Sequence, residues 1–326
     1  MLKKILSITA ACFLLWTPQV FSQSTINLDL NAIYGANNLH TLGAVDFAER
    51  VKEYSQGSIQ ITVHPGGSLG FSGPELLRSV RDGLVPMSDV LMGVVAGSEH
   101  VFGMSSLPRL VSDFEESRQL YEAAKPAYEK AATKWKQKLL YAAPWPPSGL
   151  VTKNIVNTTA DLNNLKTRTY DRNGAEFLRA LGSSPISMPW GEVYSSLTTG
   201  TIDSVLTSSE SAKDGKFWEI LNGFKIINYA YPLNMVTINL DYWNAMSKAQ
   251  QDAMLKAAAE TEAAQWKKAI SSNDEGLAII KENGMNVSEA DSAFVAAMNT
   301  AAKIIIDEYR SKADKDVNDI IGKFTK

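Results

Sequence analysis

Ile26-Asn27-Leu28-Asp29-Leu30-Asn31-Ala32 alternates apolar and polar residues without a break, the pattern of a β-strand with one face in a core. Outward from it, a loop at residues 34–38 precedes a helix-favouring stretch at 39–54, and Ser58-Ile59-Gln60-Ile61-Thr62-Val63 is a second alternating strand. That strand ends at Pro65-Gly66-Gly67. A helix is predicted from Pro74-Glu75, where proline suits the first turn, and Asp89-Val90-Leu91-Met92-Gly93-Val94 reads as a buried strand. Strands alternating with helices predict an α/β lobe.

The chain is long enough for a second lobe. A helix is predicted over residues 113–138 with an interruption near Pro126, and residues 139–143 resemble a strand. Pro144-Trp145-Pro146-Pro147-Ser148-Gly149 then stops regular structure and marks a first crossing between lobes. A second α/β unit opens at Lys166-Thr167-Arg168-Thr169-Tyr170, with a helix at 174–181 and a strand at 202–206. The strand-rich stretch 226–240, which contains Pro232, is the second crossing. Residues 247–282 favour helix throughout, with Gly284 as a C-terminal cap. One helix of that length would run ~50 Å, enough to lie along both lobes; the competing reading is two helices broken near Ser271-Ser272-Asn273. The expected division is 1–22 signal peptide, 23–145 with 233–272 as lobe I, and 146–232 with 273–326 as lobe II.

Lys3 and Lys4, the apolar run from Ile5 to Trp16 and the small residues before Gln23 read as a secretory leader cut after Ser22. The run is shorter than the ~20 residues that cross a bilayer, and Thr9 stands where lipidation of Cys12 would want leucine. Cleavage removes the only cysteine and moves the formal charge from −3 to −5. A mature chain without thiols has no disulfide, no cysteine nucleophile and no cysteine-held metal. Mild acidity with scattered signs argues against nucleic acid as a partner.

Gly66-Gly67-Ser68-Leu69-Gly70 fits the G-x-S-x-G elbow of serine hydrolases. That chemistry needs a histidine later in the chain, and the three histidines are His40, His64 and His100. Phe71-Ser72-Gly73-Pro74 also delays the helix that the elbow requires at once. A glycine-rich loop after a strand is the better reading. No phosphate-binding loop and no histidine pair at metal-ligand spacing occurs, and the sequence implies no cofactor and no catalytic residues.

Three strings in order carry a resemblance: Leu165-Lys166-Thr167-Arg168; Ala180-Leu181-Gly182, then Pro185, then Met188-Pro189-Trp190-Gly191-Glu192-Val193-Tyr194; and Leu197-Thr198-Thr199-Gly200-Thr201-Ile202-Asp203. Together with Pro65-Gly66-Gly67-Ser68-Leu69-Gly70 and the helix opened by Ser247-Lys248-Ala249-Gln250-Gln251, they resemble the substrate-binding subunit of tripartite ATP-independent periplasmic (TRAP) transporters. The resemblance implies a two-lobed periplasmic-binding-protein fold with two crossovers. It implies a receptor and no enzyme, with a small organic acid as ligand and the small and large TRAP membrane subunits as partners.

It also places Arg168 on the ligand carboxylate and Trp190 against the ligand body, with Thr207 supplying a polar group. A planar guanidinium can hold a carboxylate by two parallel hydrogen bonds; from the residues alone, a mid-strand arginine is more often an internal ion-pair partner, with Asp171 and Glu192 as candidates. Ser148 stands where the sialic-acid branch of the family has a second arginine, which argues for one cationic clamp. Tyr34, Phe71, Met92, Trp145 and Tyr170 complete the expected cleft. Large flat side chains around one arginine suit a monocarboxylate with an apolar or aromatic body. The alternatives are a C4-dicarboxylate or sugar-acid receptor, a receptor feeding an ATP-driven importer, and an exported hydrolase.

Overall fold

The computed structural model describes residues 25–325; the expected leader and its cleavage site lie outside them. Strand β1 (Ile26–Ala32) sends Leu28, Leu30 and Ala32 into the core and leaves Asn27 and Asp29 exposed, as its alternation demands. Helix α1 (Leu39–Tyr54), β2 (Ile59–His64), α2 (Leu76–Arg81) and β3 (Met87–Leu91) follow. Strand β3 ends at Leu91, so Met92 opens a short helix, α3 (Met92–Val95), where the sequence suggested continuing strand. Helix α4 (Phe114–Lys134) runs unbroken through Pro126. That proline is exposed, so the carbonyl it leaves without a partner meets water and the helix continues.

Strand β4 (Gln137–Pro144) leads through the first crossing to β5 (Ser148–Thr152). The second lobe continues with β6 (Lys166–Thr169), α5 (Arg172–Ala180), β7 (Ser184–Ser187), α6 (Val193–Thr198), β8 (Ser204–Ser208), α7 (Ser209–Asp214) and β9 (Gly223–Ile226). The chain then returns as β10 (Leu233–Asn239) and α8 (Leu240–Asn244), and closes with α9 (Lys248–Glu282), β11 (Asn286–Glu289), α10 (Ser292–Lys312) and α11 (Lys315–Gly322).

One sheet has the order β2-β1-β3-β10-β4 and the other β11-β9-β5-β8-β6-β7. In the first, β1 is parallel to β2 and β3, while the returning β10 is antiparallel to β3 and β4. In the second, β6 is parallel to β7 and β8, while β5 is antiparallel to β8 and β9. This is the two-lobed α/β architecture expected.

Helix α9 is a single 35-residue helix, ~52 Å long. Ser247 caps it reciprocally with Gln250, and no break occurs at Ser271-Ser272-Asn273. Its first half packs on the first lobe: Glu260 binds Arg50 and Tyr54, and Trp266 donates its indole N–H to the Ala142 carbonyl. Its second half packs on the other lobe, with Ile280 among Val151, Val205 and Phe224. Glycine is required where the two meet, since a Cβ on Gly276 would lie 2.9 Å from the Ser209 carbonyl carbon. The chain's end crosses once more. Val317 and Ile321 of α11 share a core with Leu120 and Tyr128 of α4, so residues 315–322 pack on the first lobe and not, as expected for 273–326, on the second.

Candidate ligand-binding cleft

The crossings set the cleft. The Trp145 amide donates to the Pro232 carbonyl, Ser148 to Ala230, and Tyr229 back to Ser148, so the two connecting segments are laced together beside the gap. A cavity of about 770 Å³ opens between the lobes. Its walls come from residues that follow the carboxyl ends of strands: Tyr34 after β1, Gly93 after β3, Tyr170 and Asp171 after β6, Met188 and Trp190 after β7. That edge is where open α/β sheets leave a crevice for ligands.

Arg168 lies on β6 and is 4 % exposed. Its Nε and Nη2 both donate to the Met188 carbonyl oxygen, at 3.1 and 3.0 Å, and its Cζ sits 5.8 Å from the centre of the Trp190 ring. Neither Asp171 nor Glu192 pairs with it, and no ion pair to it forms among the described residues. Burial lowers its pKa to about 10, far less than neutrality would require, so it carries its charge into the cavity. A desolvated cation without a counter-ion is costly, and a bound anion relieves that cost. The carbonyl of Met188 takes the Nε–Nη2 edge of the guanidinium, which leaves Nη1 outside that contact.

Seven of the nine expected residues line the cavity together: Tyr34, Trp145, Ser148, Arg168, Tyr170, Trp190 and Thr207. Tyr34 meets Trp145 edge to face with ring centres 4.9 Å apart, and Trp190 from the opposite lobe at 6.4 Å. Ser148 Oγ lies 3.3 Å from the Tyr170 hydroxyl. The other two expectations need correction. Met92 is fully buried in the first lobe's core, because α3 turns it inward and presents Gly93 and Val94 to the gap. Phe71 packs half-buried against the same core, and its neighbours Ser72 and Gly73 form the wall.

Several polar groups in the cleft wall or buried behind it escaped the sequence reading. Asp171 Oδ1 caps α5 by accepting from the Gly174 amide at 2.8 Å; burial raises its pKa to about 6. Asp89, inside the wholly buried strand β3, is raised by burial to about 7. His40 sits behind Trp145 with ring centres 4.3 Å apart, and burial lowers it to about 3, so it is neutral. The one sequence signal was an aspartate in the middle of the apolar run Met87-Ser88-Asp89-Val90-Leu91. Across the gap the lobes touch: Asn38 Nδ2 donates to Asp214 Oδ2 at 2.5 Å, and Asn173 Nδ2 to the Gly103 carbonyl at 2.9 Å. Among the described residues no cluster of histidine, aspartate or glutamate is arranged to hold a metal.

The family model of DctP, described as bacterial extracellular solute-binding protein, family 7, matches residues 30–312. The chain belongs to this family. The family reading drawn from the motif strings is thus borne out. Among family members of known structure, a TRAP solute-binding protein from a marine metagenome, specific for pyroglutamate, is 30% identical over 92% of this chain and 99% of its own, with a TM-score of 0.89. A Bordetella pertussis extracytoplasmic solute receptor binding pyroglutamic acid is 26% identical over 93% and 100%, with a TM-score of 0.90. The 2,3-diketo-L-gulonate-binding periplasmic protein of Escherichia coli K12 is 26% identical over 87% of this chain and 88% of its own.

Proposed function

We propose that this family member is the receptor of a TRAP transporter that closes its lobes on a small monocarboxylate with a compact, largely apolar body. The observation that carries the reading is Arg168, a buried guanidinium with no counter-ion that faces a cavity between two lobes. An anionic ligand would give it the ion pair that the described residues do not. Polar residues beside Arg168 in the lining include Tyr34, Thr207 and Trp190, whose hydroxyl and indole groups are able to donate. They suit a carboxylate with a carbonyl nearby, as in a 2-oxo acid or a lactam acid, while the rings of Tyr34, Trp145, Tyr170 and Trp190 enclose its body. The pyroglutamate bound by two structural relatives is a compound of this kind. Ligand contacts from both lobes are what shift the population toward the closed form, which then docks on the membrane subunits after export and removal of residues 1–22.

A thermal-shift and calorimetric series decides the ligand class: L-pyroglutamate, branched and aryl 2-oxo acids, C4-dicarboxylates and sugar acids. A tight ligand at ~100 times its Kd adds about 2.7 kcal/mol of stability. Tight binding of a dicarboxylate or sugar acid, with no response to any monocarboxylate, overturns the proposal.

A further inference from the structure

Trp145 forms a wall of the cleft, yet its indole is fixed from behind. Its Nε1–H donates to Asn234 Oδ1 at 2.7 Å, and Asn234 Nδ2 donates to Asp89 Oδ1 at 2.8 Å. All three residues are buried, Asp89 and Asn234 at 2 % and 1 % exposure, and neither of these two lines the cavity. The chemistry of the chain runs one way. An indole nitrogen can only donate, so the carboxamide must turn its oxygen to Trp145, which leaves Nδ2 to donate to an Asp89 oxygen that accepts whether or not the carboxyl holds a proton. Turned over, Asn234 would set an N–H against the indole N–H. Tyr34 at 4.9 Å and His40 at 4.3 Å pack against the same ring, and the polar tie adds direction to that packing by anchoring the indole nitrogen.

We infer that Asp89 and Asn234 are positioning residues for ligand binding: by orienting the carboxamide they hold the Trp145 indole in the pose that shapes the cleft wall. The inference rests on the cleft being the solute site. A pre-positioned wall spares the ligand the cost of ordering a large ring on binding, so loosening it weakens affinity although no contact with the ligand is lost.

The test is a double-mutant cycle with L-pyroglutamate as probe, read by calorimetry on wild type, Asn234→Leu, Trp145→Phe and the double variant. Asn234→Leu should weaken binding about tenfold, the scale of one buried hydrogen bond. In the Trp145→Phe background, which has no indole N–H, the same change should cost less than about twofold. If the leucine variant does not fold, Asn234→Ser carries the same cycle. In the ligand-free protein, the indole N–H resonance assigned by its loss in Trp145→Phe should move in Asn234→Leu and Asp89→Leu. It should stay in Asp89→Asn, which keeps the acceptor. Additive losses in the cycle, or an unmoved resonance, overturn the inference. Pyroglutamate binding that survives Arg168→Ala at full strength instead overturns the cleft reading, and the ligand-free resonance still decides the role of Asp89 and Asn234.

Discussion

Gly93→Ala isolates the energy of lobe contact from the energy of folding. Gly93 lies in α3 of the first lobe with an ordinary negative φ, so alanine is tolerated by the backbone and is the better helix former by about 1 kcal/mol. The added Cβ would stand 2.4 Å from Asp171 Oδ2, 3.3 Å from Asp171 Cβ and 3.1 Å from Ser106 Oγ. Asp171 belongs to the other lobe and cannot swing away freely, because its Oδ1 is held by the Gly174 amide. Either the lobes part by about an ångström or α5 gives up its cap, which costs ~1 kcal/mol; overpacking of this kind costs typically 1–3 kcal/mol. The closer clash, with Asp171, exists only while the lobes touch, so it falls on ligand binding, an expected loss of roughly 5- to 150-fold, while the Ser106 hydroxyl of the same lobe can rotate aside. Calorimetry with the tightest ligand found, alongside thermal unfolding of the ligand-free protein, measures both. Affinity should drop while ligand-free stability holds or rises. Unchanged affinity, or a ligand-free protein destabilised as much as binding is weakened, would refute the reasoning.

Arg168→Lys keeps the charge but loses the planar fork tied to Met188; losing a desolvated pair costs 2–5 kcal/mol, so calorimetry should show a loss from ~30-fold to several thousand-fold, and a folded variant with wild-type affinity would return Arg168 to a structural role. Burial holds the Asp89 carboxyl up at about 7, so between pH 4 and 7 the folded chain keeps a proton that the unfolded chain releases. Urea titrations should therefore show wild type losing on the order of 4 kcal/mol relative to Asp89→Asn as pH rises through that window; a constant difference would contradict the shift. Gly276→Ala meets backbone of Ser209 and Glu210 at 2.9 and 3.0 Å, which cannot yield, so it should destabilise by about 1–2 kcal/mol despite the better helix propensity, and a more stable variant in urea would sink this account.

The fold was legible because its elements announce themselves locally. Period-two alternation marked β1, and the Ser247–Gln250 capping pair opens a helix with no proline or glycine until Gly276. Proline misled at Pro126, since its cost depends on whether the freed carbonyl faces water, and that is a property of packing. Met92 misled for a related reason: an apolar run of six residues reads as strand or as buried helix alike. Within the cleft, the aromatics could be named but not sorted. Trp145 is 5 % exposed and Tyr34 6 %, so a residue that walls a cleft buries nearly as deeply as one in a core, and only the position of the opposite lobe tells them apart. Asn234 and Asp89 stayed hidden because their role is a hydrogen-bond chain between residues 145 positions apart.

Within the described residues the backbone passes between the lobes four times: from β4 to β5, from β9 to β10, along α9, and from α10 to α11. Two adjacent tethers alone would act like a strap, leaving the halves free to swing and to twist. The first two passes lie side by side, laced by the amides of Trp145, Ser148 and Tyr229, and define an axle. A stiff rod fastened to both halves away from that axle resists rotation about any other line, since twisting would have to shear Glu260 from Arg50 at one end or Ile280 from its pocket at the other. On this reasoning, rotation about the axle is the softest motion the four passes leave. Opening should then follow a single angle, which one pair of distance labels set across the gap would read.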